Sequence, residues 1–504
     1  MTGLALLGLI MLLVMIGAIF IGFPISFTLL FLAFTFGYFG LGEATVFSLA
    51  YFQTIGMMKE ELLAAVPLFI FMGFITEQAG LMERLFRAFR DLLAPIRGSL
   101  FAVVILTATV FAMATGIVGA AVTVLGIMAS PIMIKTGYDG RLAAGAITAG
   151  GTLGILIPPS VMLIVMGPVL GVSVSELYAS AFGPGFLLAS LYLVYLLGRA
   201  FFNPSLGPPV PKEERVHGIA VILKEVVYGV VPLLGLIAAT LGSILAGLAT
   251  PTEASGIGAL GAMILALSYG KLTYAGVRQA VLSTTATSSM VLLLAVTSNV
   301  FGAVFARMGT ANWITETMLA LPLPPIAMLL VVIVLIFLLG WPFEWPAIIL
   351  VFLPIFYPVM EALKPALGQS LGIPTDMVMV WFGALVAVTL QTAFLSPPVA
   401  MSAYYLRQVV KEWSLATIYK GMLEFMILQC IAIALIVIFP AIATKFPEQL
   451  REESAAVKTE EVDDSMNLLE KDPSQQMEEA TESDKEEGGG DSLEKDDMSA
   501  KPKK

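Results

Sequence analysis

The chain has 504 residues, 58% of them hydrophobic and only 13% charged, with a mean hydropathy of +0.91. This balance excludes an ordinary soluble globular domain and makes a membrane protein the default reading. The net charge of −10 belongs to the end of the chain: residues 1–444 carry 18 Lys+Arg and 18 Asp+Glu, and residues 445–504 carry 9 and 19.

The first 26 residues, MTGLALLGLIMLLVMIGAIFIGFPIS, have no basic n-region, since the first Lys or Arg is Lys59. They read as a retained first helix. A bilayer-spanning helix needs roughly 20 apolar residues. Leu4–Phe20, Leu187–Gly198, Ile219–Gly242 and Ile326–Gly340 qualify alone or with their neighbours, and the whole pattern predicts an all-α integral membrane protein with about a dozen spans. Leu81–Gly98 is different. There Arg84, Arg87 and Arg90 recur every third residue above Leu85, Leu92 and Leu93, as expected of an amphipathic helix lying along the cytoplasmic interface.

A glycine-containing break follows in ATGIVGAAVTVLGIMASPIM, Ala114–Met133, and then GTLGILIPPSVMLIVMG, Gly151–Gly167, is interrupted by Pro158-Pro159. The apolar runs beside the Pro-Pro pair are too short to span and the whole is too broken for one straight helix, which predicts a re-entrant hairpin near residues 144–170. RAFFNPSLGPPVPKEERVHG then forms a polar connector at 199–224. It divides a first membrane half, 1–198, from a second, 225–444. The second half repeats the layout. LLGWPFEWPAIILVFLPIFYPVM, Leu338–Met360, has a break at Gly340, and LQTAFLSPPVAMSAYYL, Leu390–Leu406, carries Pro397-Pro398, which predicts a second hairpin near 378–406. Broken backbone at membrane depth is tolerated only inside protein or beside a cavity, and paired interrupted segments in two halves mark a transporter's binding site. Lys445–Lys504 is acidic, nearly free of aromatics and expected to be disordered.

Candidate ion or substrate ligands follow from these breaks. Thr152, Gly154, Pro158 and Ser160 in the first Pro-Pro segment, with Gln391, Thr392, Ser396, Pro397 and Pro398 in the second, offer hydroxyls, an amide and freed carbonyls suited to a hard cation. Each alone also reads as a helix–helix hydrogen-bonding group. Thr115, Gly116 and Gly119 at one preceding break, and Gly340 and Glu344 at the other, complete the set, with Gly116, Gly340, Glu344 and Thr392 as the sodium candidates. Glu344 lies among Trp341, Pro342, Trp345 and Pro346, where burial without a cation or hydrogen bonds is costly. Glu253, in TPTEASG, reads instead as an acid at a helix start. Arg307 is a conceivable anion contact but fits interfacial snorkelling better. Gly256-Ile257-Gly258-Ala259-Leu260-Gly261 matches GxGxxG formally, without the strand and later acid that a dinucleotide site needs; close helix packing explains it.

Taken together, VPLFIFMGFITEQAGLMERLF, GYDGRLAAGAITAGGTLGILIPPSVMLIV, FGPGFLL, TPTEASGIGALGAM and the second Pro-Pro segment resemble the large membrane subunit (DctM type) of tripartite ATP-independent periplasmic transporters, over essentially residues 1–444. The resemblance implies an elevator-type secondary importer in the bacterial inner membrane. Two re-entrant hairpins in an inverted repeat, sodium as coupling ion and no further cofactor belong to the same implication. The implied partners are a small four-helix membrane subunit, a periplasmic substrate-binding protein, a small organic anion and the lipid bilayer, with no nucleic acid. Two departures stand out. Gly116-Ile117-Val118 replaces a common Gly-Ser-Ser, leaving Thr115 and backbone carbonyls as ligands and resembling the mannitol/chloroaromatic subgroup, for which 2-oxo or 2-hydroxy monocarboxylates are plausible cargo. Gly340-Trp341-Pro342-Phe343-Glu344 stands where many relatives have phenylalanine, leucine and aspartate after the glycine, so that Glu344 replaces the acid.

The alternatives are another ion-coupled carboxylate transporter that works without a binding protein, and a membrane-embedded enzyme. Against the enzyme, the one histidine, His217, and the one cysteine, Cys430, sit apart with no ligand set around either. No Walker loop for ATP-driven pumping is present.

Overall fold

The computed structural model describes residues 3–210, 215, 219–397 and 400–453. Among these residues it contains helices and turns and no strand. The chain divides into two compact units, Met1–Pro447 and Glu448–Lys504, of which the second is described only at 448–453, where it is helical.

The first half contains α1 (Gly3–Ile21), α2 (Ile25–Leu41), α3 (Glu43–Met58), α4 (Ala65–Gln78), α5 (Leu81–Leu93), α6 (Ser99–Thr115), α7 (Val118–Lys135), α8 (Gly140–Leu156), α9 (Val161–Leu170) and α10 (Val174–Phe202). The second contains α11 (Ile219–Ile237), a π-turn at Ala238–Gly242, the single turn α12 (Ser243–Leu245), α13 (Pro251–Ser268), α14 (Tyr274–Arg307), α15 (Thr310–Leu319) and α16 (Pro325–Leu339). There follow α17 (Trp345–Ala347), a second π-turn at Ile348–Phe352, α18 (Leu353–Leu371), α19 (Val378–Leu395), α20 (Met401–Val409) and α21 (Leu415–Ile438). Nine described helical segments are long and apolar enough to cross a membrane, or ten if α8 and α9 count as one bent span. Three shorter apolar helices, α2, α6 and α16, accompany them. At 1.5 Å per residue, even 17 residues give about 25 Å, somewhat less than the roughly 30 Å hydrocarbon thickness.

Helix directions follow from close contacts. Along α8, Gly150 faces Ala108 and Gly154 faces Ala112, so α8 and α6 run the same way. Gly151 faces Val122 and Gly154 faces Ile117, so α7 runs against α8. Hence α6 and α7 form a helical hairpin with its tip at Gly116-Ile117. In the second half, Gly340 at the end of α16 meets Ala393 near the end of α19. A short connection, 372–377, returns α18 into α19. α16 and α18 thus form the second hairpin, with its tip at 340–344.

This placement corrects the expected topology. The Pro-Pro segment at 144–170 does not reverse: α8 and α9 are bent by 47°, a kink within one broken span, with a cis peptide at Pro158-Pro159. The segment at 378–406 behaves similarly. Gly119 and Gly126 of α7 meet Tyr405 and Val409 of α20 in the same order, so α20 runs with α7. α19 runs against α8 and α9, because Gln391 meets Thr152 while Gly383 meets Met166 and Leu170. α20 therefore continues α19. The true hairpins are the elements that precede each Pro-Pro segment. Proline removes a donor and clashes with the preceding turn, which ends helical bonding without dictating a reversal.

The remaining sequence features fall into place locally. α5 buries Leu81, Met82, Leu85, Phe86 and Ala88, while Leu92 is exposed. The Arg84 guanidinium lies 4.3 Å from the Tyr269 ring centroid. Glu253 closes a capping box with Thr250 at the start of α13, and that bonding holds its carboxyl below the usual range. The apparent GxGxxG is a packing seam, with Gly258 against Met72 and Thr240, and Gly261 against Leu236. α10 extends through Phe202 and α11 starts at Ile219, so the polar connector is shorter than the expected 199–224. It is tied down by Gly98 N–H to Gly207 O at 2.8 Å and Asp139 N–H to Leu206 O at 3.0 Å. His217 lies outside the described residues.

Residues 441–453 are helical, so the disorder expected from Lys445 does not begin there; 454–504 lie outside the described residues. The carbonyl of Ile442 presses on Gly183, and Phe446 meets Phe182 edge-on at 5.8 Å. α8 and α21 are equally close at Gly421, where an added β-carbon would lie 2.1 Å from the Arg141 carbonyl. Gly421→Ala is expected to cost about 1–3 kcal/mol of stability, read as a lower melting temperature of the detergent-solubilised protein. An unchanged melting temperature would show that α21 is free to move away.

Candidate functional site

The four breaks meet at one place. At the tip of the first hairpin Gly116 adopts a left-handed conformation, φ 60°, which reverses the chain in two residues and which only glycine adopts without penalty. A β-carbon on Gly116 would sit 3.6 Å from the Pro159 carbonyl and 3.8 Å from the Gly154 carbonyl, so this tip rests directly on the α8–α9 break. One turn before that break the Thr152 hydroxyl donates to Gln391 Oε1 at 3.0 Å, and Gln391 lies one turn before the α19–α20 break. Gly340 in turn abuts Ala393, at 3.0 Å from an added β-carbon. Tyr405 closes the circuit: its ring lies 3.1 Å from a β-carbon on Gly119, and its phenol lies within electrostatic reach of Glu344.

The hydroxyls share one habit. Thr115 donates to Phe111 O at 3.2 Å, Thr152 to Ala149 O at 2.8 Å, Thr392 to Thr389 O at 2.6 Å and Ser396 to Thr392 O at 2.7 Å. Ser160 donates to Ile155 O. All five side chains are buried. Because their protons point into helix carbonyls, their oxygen lone pairs remain as acceptors, which is what a desolvated cation requires. α7, α9, α17 and α20 are the helices that leave the breaks, and their first N–H groups carry the positive end of the helix dipole. Hydroxyl oxygens and N–H groups together can hold a cation beside an anion.

The sequence-derived residues divide accordingly. Thr115, Gly116, Gly119, Thr152, Gly154, Ser160, Gly340, Gln391 and Glu344 take part in the circuit, with Pro158, Thr392, Ser396 and Pro397 in or beside the breaks; Pro398 lies outside the described residues. Gly340 differs from expectation. Its φ is −63°, so the tip there is not unwound at the glycine, and close approach to Ala393 is what demands the missing side chain. Arg307 is exposed in the last turn of α14, away from these contacts.

Several residues were not legible as site components. Besides Tyr405, α10 supplies Tyr178, Gly185 and Tyr192, which face Ser160, Ile157 and Thr152 in turn. Their spacing of seven residues places all three on one helical face, a signal present in the sequence. α4 backs the first tip from another side, where a β-carbon on Gly73 would lie 2.6 Å from the Thr115 carbonyl. A cavity of about 370 Å³ lies between Glu60, Ser298 and Asn299 on one side and Val165, Pro168, Leu350 and Pro354 on the other.

The family model described as tripartite ATP-independent periplasmic transporter, DctM component, matches residues 10–442. The sialic acid TRAP transporter large permease protein SiaM of Vibrio cholerae is 28% identical over 436 residues, 86% of this chain and 96% of that protein. The C4-dicarboxylate TRAP transporter large permease protein DctM of Rhodobacter capsulatus is 26% identical over 444 residues, 85% and 96% of the two chains. Among solved structures, the YdaH transporter of Alcanivorax borkumensis superposes with a TM-score of 0.53 at 17% identity, covering 81% of this chain and 90% of that one. Neisseria gonorrhoeae MtrF gives 0.54 at 15% identity, covering 79% and 84%. At those identities the likeness is one of fold. The family match runs through both hairpins and both broken spans, and the chain belongs to the DctM-type large permease subunits of TRAP transporters, multi-pass membrane proteins of transport and not enzymes.

Proposed function

We propose that this permease imports a small organic anion by secondary active transport coupled to sodium, in the bacterial inner membrane. In this reading a periplasmic binding protein delivers the cargo and a small four-helix membrane subunit completes the permease. The observation that carries it is the convergence of two hairpin tips and two broken spans around buried hydroxyls with free lone pairs. Sialic acid and C4-dicarboxylates, named for the relatives, are both carboxylates, which supports that cargo class here. The tip sequence Gly116-Ile117-Val118 favours a 2-oxo or 2-hydroxy monocarboxylate within it.

Sodium is read as cargo bound at the tips by Thr115, the carbonyls beside Gly116 and Gly340, Glu344 and Thr392. The anion is read at the N-termini of α7 and α9 and their counterparts in the second half. Movement of the hairpins and broken spans as one body past α1–α5 and α11–α15 would carry both across, an elevator motion.

Vesicles that contain both membrane subunits test this reading. Uptake is expected only with substrate-loaded binding protein outside and an inward sodium gradient. Uptake indifferent to sodium would sink the coupling claim, and uptake of free substrate would favour a carboxylate transporter that needs no binding protein.

A further inference from the structure

Behind the crossing of the two broken spans, four polar side chains from four helices come together: Thr152 of α8, Tyr192 of α10, Gln391 of α19 and Gln429 of α21. Each has 0% of its surface exposed, and every pair of these four helices is in contact. Thr152 spends its one proton on Ala149 O and Gln391 Oε1, at 2.8 and 3.0 Å. Among the described residues, Gln391 Nε2 and both polar atoms of Gln429 have no hydrogen-bond partner. The Tyr192 hydroxyl faces Gln429 and Thr152 without closing a bond of ordinary geometry to either. Polar groups left this way at membrane depth cost stability, and apolar residues of the same size would pack there at lower cost. The Tyr192 ring already packs as a hydrophobe, edge-on to Phe425 at 5.1 Å, so its hydroxyl is not needed for packing.

We infer that Tyr192 and Gln429 are positioning residues for Gln391. The two ends of a glutamine amide are alike in size, and which end faces a neighbour is set by the hydrogen bonds each can make. Thr152 engages Oε1 on the side of the breaks; the acceptors that the cluster offers to Nε2–H are the Tyr192 hydroxyl and Gln429 Oε1. With both ends held, Gln391 keeps its oxygen on Thr152, and the two broken spans stay joined one turn from each break. With the far end loosened the amide can turn, and Nε2–H then takes a lone pair of the Thr152 hydroxyl that the ion sites otherwise have as an acceptor. The inference rests on the sodium coupling proposed above, and it assigns Tyr192 and Gln429 to the apparent sodium affinity, not to recognition of the binding protein or its cargo.

The test uses the complete permease, both membrane subunits in vesicles, with Tyr192→Phe and Gln429→Met. Sodium is titrated at saturating loaded binding protein, and loaded binding protein at saturating sodium. Each variant is expected to need about fivefold more sodium or higher for half-maximal uptake, with an unchanged half-saturating concentration of binding protein. Wild-type sodium dependence in Tyr192→Phe, which removes one oxygen and keeps the ring, overturns the inference, and that variant decides alone if Gln429→Met fails to reach the membrane. A wild type indifferent to sodium refutes the coupling itself and this inference with it; a sodium-dependent wild type matched by both variants refutes only this inference.

Discussion

Glu344→Gln is expected to raise the sodium concentration for half-maximal uptake about tenfold or more, equivalent to roughly 1.4 kcal/mol or more of lost ion binding, with little change in protein level in the membrane. Glu344 stands at the tip of the second hairpin, where its carbonyl accepts from the N–H groups of Ala347 and Ile348. Its side chain is half-buried, within electrostatic reach of Tyr405 and flanked in sequence by tryptophans and prolines, with no Lys or Arg paired to it among the described residues. An uncompensated carboxylate in such surroundings is expensive, and a bound cation is the compensation that the site's oxygens suit. Glutamine keeps the shape and one oxygen and removes the charge. Fold and tip geometry should therefore survive while affinity for the ion does not. An unchanged sodium titration would remove Glu344 from the ion site and leave it as the cap of a short helix.

Local chemistry encodes one part of this fold, and chain direction depends on something else. Apolar runs, the Thr250–Glu253 cap, the small-residue seam of α13 and the positions of all four breaks follow from residue type and spacing, because each is a local demand for burial, a donor or room. Which breaks reverse the chain does not follow. Pro158-Pro159 ends the hydrogen bonding of α8 as expected, yet α9 continues forward with a bend, because burial of both arms against α10 and α19 favours one crossing over a return. Gly116, less conspicuous in the sequence than a Pro-Pro pair, makes the reversal through its left-handed backbone. Partners from distant helices were also invisible. Tyr405 meets Gly119 across 286 positions of sequence, and nothing local to either announces the other.

The two tip glycines are needed for different reasons, and the difference is measurable. Gly116→Ala is expected to lower uptake about tenfold, because a left-handed backbone costs a side-chain-bearing residue roughly 1–2 kcal/mol. The added β-carbon itself meets nothing closer than 3.6 Å, so no smaller neighbour can relieve it. Gly340→Ala places its β-carbon 3.0 Å from the Ala393 β-carbon, in a backbone that alanine readily adopts. Its effect should be smaller, and Ala393→Gly, which removes that contact and leaves the Phe337 carbonyl at 3.1 Å and the Ala393 Cα at 3.3 Å, should restore part of the uptake. The same second-site change should do nothing for Gly116→Ala. The measurement is initial uptake by the four single and double variants at matched protein density. Rescue of Gly116→Ala by Ala393→Gly, or failure to rescue Gly340→Ala, would refute the distinction between a glycine kept for its conformation and one kept for its size. If both behave as expected, the first tip is fixed by its own backbone and the second by its contact with α19, so that loosening α19 during transport would release the second tip while leaving the first intact.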